Sequence, residues 1–375
     1  MCGIVGWIQL TGPDKRILVK MRDTLVHRGP DRGGILVDKG VGLAFRRLSI
    51  LDLSSAGMQP MSNEDKSVWL VFNGEFYNHN DWRRKLKGKG HTFRSTADTE
   101  AIIHLYEEKG VDFLKEMNGM FALALWDQKR QRIILARDRL GQKPLYYCQP
   151  NPKTFLFASE PKAILRHPQV KREIDSSSLK DYFRFGYALA PHSIFKNIFQ
   201  LPPAHYSIFN LKTYQLSPPQ PYWQLEFCPD HSCSLADWQE EFSQLFSEAV
   251  KLRLQADVEV GIFLSGGLDS SAVVKWAHQH SSQPLNTFSV GFQERDYDES
   301  QYSRQIASLY QTNHTQQIID PRAIEILPQL VYYFDEPFDD SSAVPTFHLA
   351  KLARQKVKVA LSGDGGDELL GGYHR

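Results

Sequence analysis

The chain has 375 residues, which is enough for about two to three domains of ordinary size. Its 44 basic and 43 acidic residues nearly cancel, so nothing suggests binding to nucleic acid or an anionic membrane, and small substrates are favoured. Four cysteines without zinc-finger spacing argue against a disulfide scaffold and fit a reducing compartment. The chain also starts without a basic leader and has no apolar run of membrane-spanning length, so we expect a soluble cytoplasmic protein.

Cys2 is the first residue with candidate chemistry. If Met1 is removed, Cys2 carries both a thiol and a free α-amino group. The ordinary pKa of that amine, about 8, allows it to act as a general base near neutral pH. One residue would then supply a nucleophile and its base, although a small apolar residue at this position by chance is the alternative.

A series of short motifs follows Cys2 over the first 160 residues. They are His27-Arg28-Gly29-Pro30-Asp31, Arg46-Arg47-Leu48-Ser49-Ile50-Leu51, Asn73-Gly74-Glu75, Ser95-Thr96-Ala97-Asp98, Asn118-Gly119-Met120-Phe121, Arg137-Asp138-Arg139-Leu140-Gly141 and Ala158-Ser159-Glu160. With Cys2, this series resembles the amino-terminal-nucleophile glutaminases that supply ammonia to a synthetase. The resemblance implies a stacked αββα sandwich, which we expect over residues 2–215.

The same resemblance implies how glutamine is held. Glutamine presents a carboxylate, an ammonium group and an amide, so its pocket needs a cation, an anion and an oxyanion hole. Arg47 suits the carboxylate, because a guanidinium can pair with it in a bidentate manner, and Asp98 suits the ammonium group. Asn73 and Gly74 are the implied oxyanion donors. The implied glutamine-binding residues are Arg47, Leu48, Ser49, Ile50, Leu51, Asn73, Gly74, Glu75 and Asp98.

Plainer interpretations exist for several of these residues. Asn73-Gly74 between apolar neighbours is also a strong hairpin signal. Asp98 could simply begin a helix that ends at Gly110 and complement its dipole. Arg47 could be a surface cation on a strand, and residues 27–31 are assigned a structural role. Phe45 stands where the family often has histidine, a departure outside the residues we consider catalytic.

The remainder of the first domain and the domain junction are predicted from turn residues and spacing. Short apolar runs between 111 and 208 alternate with turn residues, which indicates a sheet-rich region. A proline-rich, weakly periodic stretch then predicts a linker over 216–235, which contains Cys228 and Cys233 without assigned chemistry. The second domain is expected over 236–375.

An amphipathic helix from about Ala236 to Leu254 opens the second domain, and its apolar face is expected to be core. A short strand, 258–264, then leads through Ser-Gly-Gly-Leu-Asp-Ser at 265–270 into a helix. A strand, a glycine-rich turn and a helix form an anion-binding geometry, although an ordinary glycine turn before a buried helix remains the alternative. No lysine stands in this loop, so simple γ-phosphate hydrolysis is disfavoured. The loop resembles the pyrophosphate loop of enzymes that cleave ATP between its α and β phosphates.

A second acidic, glycine-rich loop, Ser362-Gly363-Asp364-Gly365-Gly366-Asp367, follows a predicted strand at 357–361. Alternating strands and helices predict a parallel α/β sheet with its ligand beyond the carboxyl ends of the strands. Asp269 and Asp367 are candidate Mg²⁺ ligands, because carboxylates and substrate phosphates usually hold that ion. With the earlier motifs, this loop resembles the glutamine-dependent asparagine synthetase family, and the resemblance implies that Asp364 takes part in acyl-adenylate formation. The implied ATP-binding residues are Leu264, Ser265, Gly266, Gly267, Asp269, Ser270, Val290, Ser362 and Gly363.

Taken together, the motifs resemble the glutamine-dependent asparagine synthetase family over essentially the whole chain. The resemblance implies that Cys2 releases ammonia from glutamine, that ATP adenylates aspartate to β-aspartyl-AMP, and that ammonia converts this intermediate to asparagine. Family members continue past residue 375, so we expect the carboxyl-terminal part of the synthetase domain to be missing. Two alternatives stay open: an amidotransferase with another carboxylate acceptor, and a truncated chain with glutaminase or nucleotide-binding activity only. A homodimer also remains an option.

Overall fold

The computed structural model describes residues 1–294, 298–319 and 325–373. The chain separates into two compact units: unit 1 comprises Met1–Glu226 with Phe334–Asp339, and unit 2 comprises Phe227–Tyr333 with Asp340–Arg375. Among the described residues, no helix combines the length and the apolar character needed to cross a membrane.

Unit 1 contains thirteen of the described strands and six of the described α-helices. The strands are β1 (Gly3–Gln9), β2 (Arg32–Asp38), β3 (Val41–Arg47), β4 (Met61–Ser62), β5 (Val68–Phe76), β6 (Gly119–Asp127), β7 (Arg132–Arg137), β8 (Tyr146–Asn151), β9 (Thr154–Ala158), β10 (Phe199–Gln200), β11 (His205–Asn210), β12 (Gln215–Leu216) and β13 (Gln220–Pro221). The helices are α1 (Lys15–Asp23), α2 (His79–Gly88), α3 (Asp98–Lys109), α4 (Phe113–Glu116), α5 (Pro161–Ile164) and α6 (Ser176–Phe185).

Two antiparallel sheets form the centre of unit 1. The first has the strand order β10-β8-β9-β1-β3-β2, and the second has the order β12-β11-β7-β6-β5-β4, with β13 paired to β11. Apolar side chains from both sheets, such as Phe45 and Trp126, form one core between them. Another core joins α3 to the outer face of the second sheet, and a third joins α1 and α5 to the first. The layers therefore run α, β, β, α, which confirms the predicted fold class of this half.

Two details of unit 1 differ from what local sequence signals suggested. Asn73 and Gly74 lie inside β5, opposite Ala122 and Phe121 of β6, so the hairpin interpretation is wrong. The continuous nine-residue pairing of β5 with β6 overrides the turn preference of the Asn-Gly pair. Within the stretch expected to be a linker, β13 pairs with β11 and Tyr222 is buried, so the contacts of unit 1 extend to Glu226.

A short segment far along the chain, Phe334–Asp339, also belongs to unit 1. The Glu336 carboxylate accepts hydrogen bonds from the Tyr146 hydroxyl at 2.5 Å and from the backbone N–H of Ile194 at 2.8 Å. Asp335 accepts from the backbone N–H of Lys162 at 2.7 Å, and burial raises the pKa of Asp335 to about 6. No feature of the sequence indicated that this segment packs with unit 1.

Unit 2 is an α/β unit around one parallel sheet. Its elements are α7 (Leu235–Arg253), β14 (Val260–Phe263), α8 (Leu268–His280), β15 (Asn286–Phe292), α9 (Ser300–Leu309), β16 (Asn313–Ile319), α10 (Leu327–Phe334), α11 (Ala343–Ala353), β17 (Val359–Leu361) and α12 (Gly366–Leu370). The strand order is β16-β15-β14-β17, with all three pairings parallel. The predicted parallel sheet is thus confirmed.

The helix predicted to open the second domain is present as α7, and a capping box between Ser234 and Asp237 fixes its start. Its apolar face is only partly core. Val250 is buried against α8, whereas Trp238 and Leu245 are 42% and 65% exposed. The expectation that the whole face is buried is wrong, because only the last turns of α7 reach the core that α8 and β14 form.

Candidate functional site

In unit 1, a pocket forms around the thiol of Cys2. Cys2 directly precedes β1, and the pairing of Gly3 with Arg46 sets it beside the end of β3. The carboxyl end of β5 and the first residue of α3 complete the walls. The predicted residues that line this pocket are Cys2, Arg47, Leu48, Ile50, Leu51, Gly74, Glu75 and Asp98. Ser49 and Asn73 are buried next to these residues without lining it.

The Cys2 thiol is held against Leu48 in a partly buried position. The Leu48 backbone N–H donates to the Cys2 Sγ, with the nitrogen 3.5 Å from the sulfur. The same sulfur lies 3.7 Å from the Leu48 carbonyl oxygen. Burial raises the pKa of this thiol above its ordinary value, so near neutral pH it carries its proton. A nucleophilic role at this position therefore requires a base.

The side chain of Asn73 has an unusual environment. Asn73 is fully buried, and neither its Nδ2 nor its Oδ1 finds a hydrogen-bond partner within the described residues. An unsatisfied buried polar group costs about 1–3 kcal/mol. Gly74 beside it tolerates no side chain, since a Cβ there would lie 2.1 Å from the Met120 carbonyl oxygen. A buried amide donor next to a pocket-lining glycine is the arrangement that an oxyanion hole needs.

Glu75 and Asp98 form an acidic pair in the lining of the same pocket. Burial, followed by the charge of Asp98, raises the pKa of Glu75 well above its ordinary value. Burial also raises the pKa of Asp98, although the Phe76 N–H donates to its carboxylate at 2.8 Å and opposes the shift. The predicted helix start at Asp98 is confirmed, because α3 begins at this residue. The pair is suited to a cation that compensates its repulsion.

Arg47 is buried, so the surface-cation interpretation is wrong. Its guanidinium donates to the carbonyl oxygens of Ser54 at 2.7 Å and Leu51 at 3.2 Å, and also to that of Asp52. The Asp31 carboxylate accepts from the Ser49 N–H at 2.8 Å. These contacts fix the loop that supplies Leu48, Ile50 and Leu51 to the pocket, and they agree with the structural role expected for residues 27–31.

Unit 2 brings the two predicted glycine-rich loops together. β14 and β17 are parallel neighbours, so the loops that follow them leave from the same edge of the sheet. A Cβ on Gly363 would lie 2.9 Å from the Ser270 nitrogen, and one on Gly366 would lie 2.5 Å from the Asp269 carboxylate. Leu264 is buried, and its N–H donates to the Phe288 carbonyl oxygen at 2.8 Å. The first loop is therefore packed directly against the second.

The first loop is itself ordered by short polar contacts. The Ser265 hydroxyl accepts from the Gly267 N–H at 3.2 Å and lies 3.0 Å from the Ser270 hydroxyl. Gly266 has a φ of +93°, and α8 begins directly after Gly267. In the second loop the Ser362 hydroxyl donates to Asp364 at 2.8 Å. Val290 lies within β15, the other neighbour of β14.

The two candidate magnesium ligands lie in these loops. The Asp269 carboxylate faces the backbone of Gly366, the first residue of the short helix α12, and Asp367 is the second residue of that helix. Neither carboxylate forms an ion pair with a residue in the described part of the chain. Carboxylate oxygens beside a phosphate-type loop fit the hard-oxygen preference of Mg²⁺.

Comparison with known proteins agrees with this geometry. The glutamine amidotransferase domain family matches residues 1–223, and the asparagine synthase family matches residues 241–375. A putative glutamine-hydrolysing asparagine synthetase of Methanocaldococcus jannaschii is 39% identical over 100% of this chain and 76% of its own length. Glutamine-hydrolysing asparagine synthetases 1 and 2 of Bacillus subtilis are 35% and 37% identical over the full chain.

The chain belongs to the glutamine-hydrolysing asparagine synthetase family. It spans 59% and 52% of the length of the two Bacillus subtilis relatives. As in the family, an amidotransferase half precedes a synthase half along the chain.

Sequence reasoning missed the polar contacts that hold the backbone of Cys2 in this family member. The Arg28 guanidinium donates to the Cys2 carbonyl oxygen at 3.0 Å and to the Glu160 carboxylate at 2.7 Å. Burial of Glu160 would raise its pKa, but the hydrogen bond from His27 and the charges of Arg28 and Lys162 lower it to about 2. Arg28 and Glu160 are 132 residues apart, and although both motifs were noted, nothing in the sequence pairs them.

Lys143 is a second residue that the sequence analysis did not single out. It is buried in unit 1, and its charge acts on both Cys2 and Glu75. Burial lowers the pKa of Lys143 to about 8. This lysine therefore adds a cation near the acidic pair and the thiol.

Proposed function

We propose that the chain is a glutamine-hydrolysing asparagine synthetase, an ATP-dependent carbon–nitrogen ligase with glutamine as its amide donor. Support comes from the family and, above all, from the pocket that Cys2 shares with Gly74, Glu75 and Asp98. The proposed boundaries are 2–215 for the glutaminase domain and 236–375 for the synthetase domain. The cytoplasmic location and the homodimer stay predictions.

The glutaminase half would start from Cys2 after removal of Met1. Its free α-amine takes the thiol proton, and the thiolate attacks the amide carbon of glutamine. The negative charge that develops on the amide oxygen is met by Asn73 Nδ2 and the Gly74 N–H. The amine returns the proton to the leaving ammonia, and water then hydrolyses the thioester to glutamate.

Glutamine itself would be held by opposite charges. Glu75 and Asp98 are the proposed partners of its α-ammonium group, because both line the pocket and the repulsion between them, which raises the pKa of Glu75, would be relieved by a bound cation. Arg47 is the proposed partner of its carboxylate. Leu48, Ser49, Ile50 and Leu51 would complete the pocket, through their backbone as well as their side chains.

The synthetase half would bind ATP against the loop 264–270, with Val290, Ser362 and Gly363 around the nucleotide. Asp269 and Asp367 are the residues that would hold Mg²⁺, which supplies charge neutralisation of the phosphates when bound. The carboxylate of aspartate attacks the α-phosphate and releases pyrophosphate, with Asp364 tied to this step. Ammonia then attacks the β-aspartyl-AMP carbonyl and releases AMP.

One labelling experiment tests the whole proposal. The purified chain is incubated with amide-labelled glutamine, Mg-ATP and aspartate, and glutamate, pyrophosphate, AMP and labelled asparagine are quantified. We expect all four products. Glutamate without pyrophosphate would restrict the activity of this chain to its first half, and pyrophosphate with a different carboxylate in an acceptor screen would change the acceptor.

The Cys2→Ala variant tests the nucleophile and provides its own control. We expect glutamate formation to fall to background, because no thiolate remains. Asparagine formation from added ammonium chloride should continue at the wild-type rate, since the synthetase half is unchanged. A Cys2→Ala variant that retains its glutaminase rate would overturn the assignment.

A further inference from the structure

A second group of polar side chains lies on unit 1, near the carboxyl end of α3 and away from the Cys2 pocket. His104 and Glu107 lie one turn apart on α3, and His91 follows α2 in the loop 89–97. One ligand atom from each of these three residues lies within 4.8 Å of the others. None of the three takes part in the proposed reaction.

The separations within the trio match those of ligands around one metal ion. His91 Nδ1 and His104 Nδ1 are 3.2 Å apart, and Glu107 Oε2 lies 2.8 Å from the His104 atom and 3.6 Å from the His91 atom. Tetrahedral zinc with bonds of about 2.05 Å places its ligand atoms about 3.3 Å from one another. The three distances between the ligand atoms, 2.8, 3.2 and 3.6 Å, lie on both sides of this value.

The partners of the remaining polar atoms orient the trio. His91 Nε2 lies 3.0 Å from Glu108 Oε1, so its proton belongs on Nε2 and its Nδ1 presents a lone pair. Glu107 Oε1 accepts from Asn63 Nδ2 at 2.8 Å, which leaves Oε2 directed at the two rings. A carboxylate behind a ligating histidine and a hydrogen bond to a ligating carboxylate are the outer-shell contacts that metal sites show.

The environment of His104 adds an independent observation. Its side chain is only 1% exposed, and its Nε2 is buried without a hydrogen bond to any residue in the described ranges. Glu64 Oε1 lies 3.8 Å from that nitrogen. Without an ion, a proton on Nδ1 of His104 can donate to Glu107 Oε2 at 2.8 Å. Metal binding requires that proton on Nε2, where it would face Glu64 and leave Nδ1 as a lone pair toward His91 and Glu107. With both histidines in this form, three lone pairs converge, and a cation between them would relieve their repulsion.

We propose that His91, His104 and Glu107 bind one divalent transition-metal ion of the zinc class. The side chains of His91 and Glu107 are 17% and 26% exposed, so water can complete the coordination from the solvent side. Neutral imidazoles with a carboxylate are a donor set that suits zinc. The ion would connect the loop 89–97 to α3.

Metal binding is tested on the full chain after removal of metals with a chelator. Addition of Co²⁺ should produce the strong visible bands of a four- or five-coordinate ion at one equivalent, and Zn²⁺ should abolish them. The absence of a near-ultraviolet sulfur-to-metal band would distinguish this site from thiolates such as the exposed Cys228 and Cys233. The melting temperature of the wild type should rise with Zn²⁺, since the ion binds the folded state.

Three variants and a control assign the ligands. His91→Gln and Glu107→Gln should each lose the bound equivalent, and Glu108→Gln should weaken binding by about 10–100-fold as an outer-shell change. His192→Gln changes an exposed histidine outside the group and should bind as the wild type does. Circular dichroism confirms that each variant is folded. Unchanged affinity in both ligand variants, or no binding of Zn²⁺ or Co²⁺ by the wild type in tenfold excess, would overturn the proposal.

Discussion

At the scale of single residues, the electrostatics of the pocket decide how glutamine binding depends on pH. Burial and the charge of Asp98 raise the pKa of Glu75, so the unliganded pocket holds a proton on this carboxyl group well above the pH at which an exposed one would lose it. Glutamine brings an ammonium group that favours the ionised carboxylate. Binding must therefore release a proton.

The sign of the pH dependence follows from this proton release. Below the raised pKa of Glu75, each unit of pH increase should strengthen glutamine binding by up to about tenfold, and above it the affinity should level off. Calorimetry of glutamine binding to Cys2→Ala in two buffers of different ionisation enthalpy measures both the affinity and the proton count. The control is the Cys2→Ala protein with the further change Glu75→Gln, because glutamine at position 75 cannot ionise. If this double variant releases as many protons on binding as Cys2→Ala does, the titrating group is not Glu75.

At the scale of secondary-structure elements, the sequence predicted most of what depends on periodicity. The strands β6, β7 and β9, the helix α3 and the strands β14 and β17 of unit 2 follow from alternating or continuous apolar runs, whereas β16 was not predicted. Asn73-Gly74 was misjudged as a candidate turn because its local preference is strong, whereas its place in β5 depends on the partner strand β6. The link from Arg28 to Glu160 could not be predicted, because it requires the register of distant strands.

Gly266 permits a prediction about the phosphate-type loop. Both Gly266 and Gly365 have positive φ, +93° and +101°, so alanine at either position should cost about 1–2 kcal/mol of backbone strain. Only Gly266 is also crowded, because a Cβ there would lie 2.5 Å from Tyr302 Cβ and 2.6 Å from the Ser303 nitrogen. Gly266→Ala should therefore displace α9 from the loop. Gly365→Ala should displace nothing, because a Cβ at that position would have no atom within 4 Å.

Hydrogen exchange measured peptide by peptide separates strain from crowding. We expect faster exchange in α8 and α9 for Gly266→Ala than for Gly365→Ala, together with weaker ATP binding by the former. Equal exchange in the two variants would mean that the loop adjusts to the added methyl group without loss of packing.

At the scale of the whole molecule, the two proposed half-reactions belong to separate compact units with separate cores. Asp269 lies in the loop of unit 2, and its carboxylate adjoins the second loop at Gly366. Asp269→Asn keeps the shape of this side chain but removes the charge that would hold Mg²⁺. Pyrophosphate release with ATP and aspartate should therefore fall by at least about 100-fold, equivalent to about 2.7 kcal/mol of transition-state stabilisation.

Hydrolysis of glutamine without ATP should be unaffected by Asp269→Asn, because the pocket around Cys2 is built entirely from residues of unit 1. Glu248→Gln, which alters an exposed acid on α7, is the matched control and should leave both half-reactions unchanged. Glutamate and pyrophosphate are measured in parallel for the three proteins. A parallel loss of glutamate in Asp269→Asn would show that the first half-reaction depends on the state of the ATP site, and the two units would then have to be treated as one coupled catalyst.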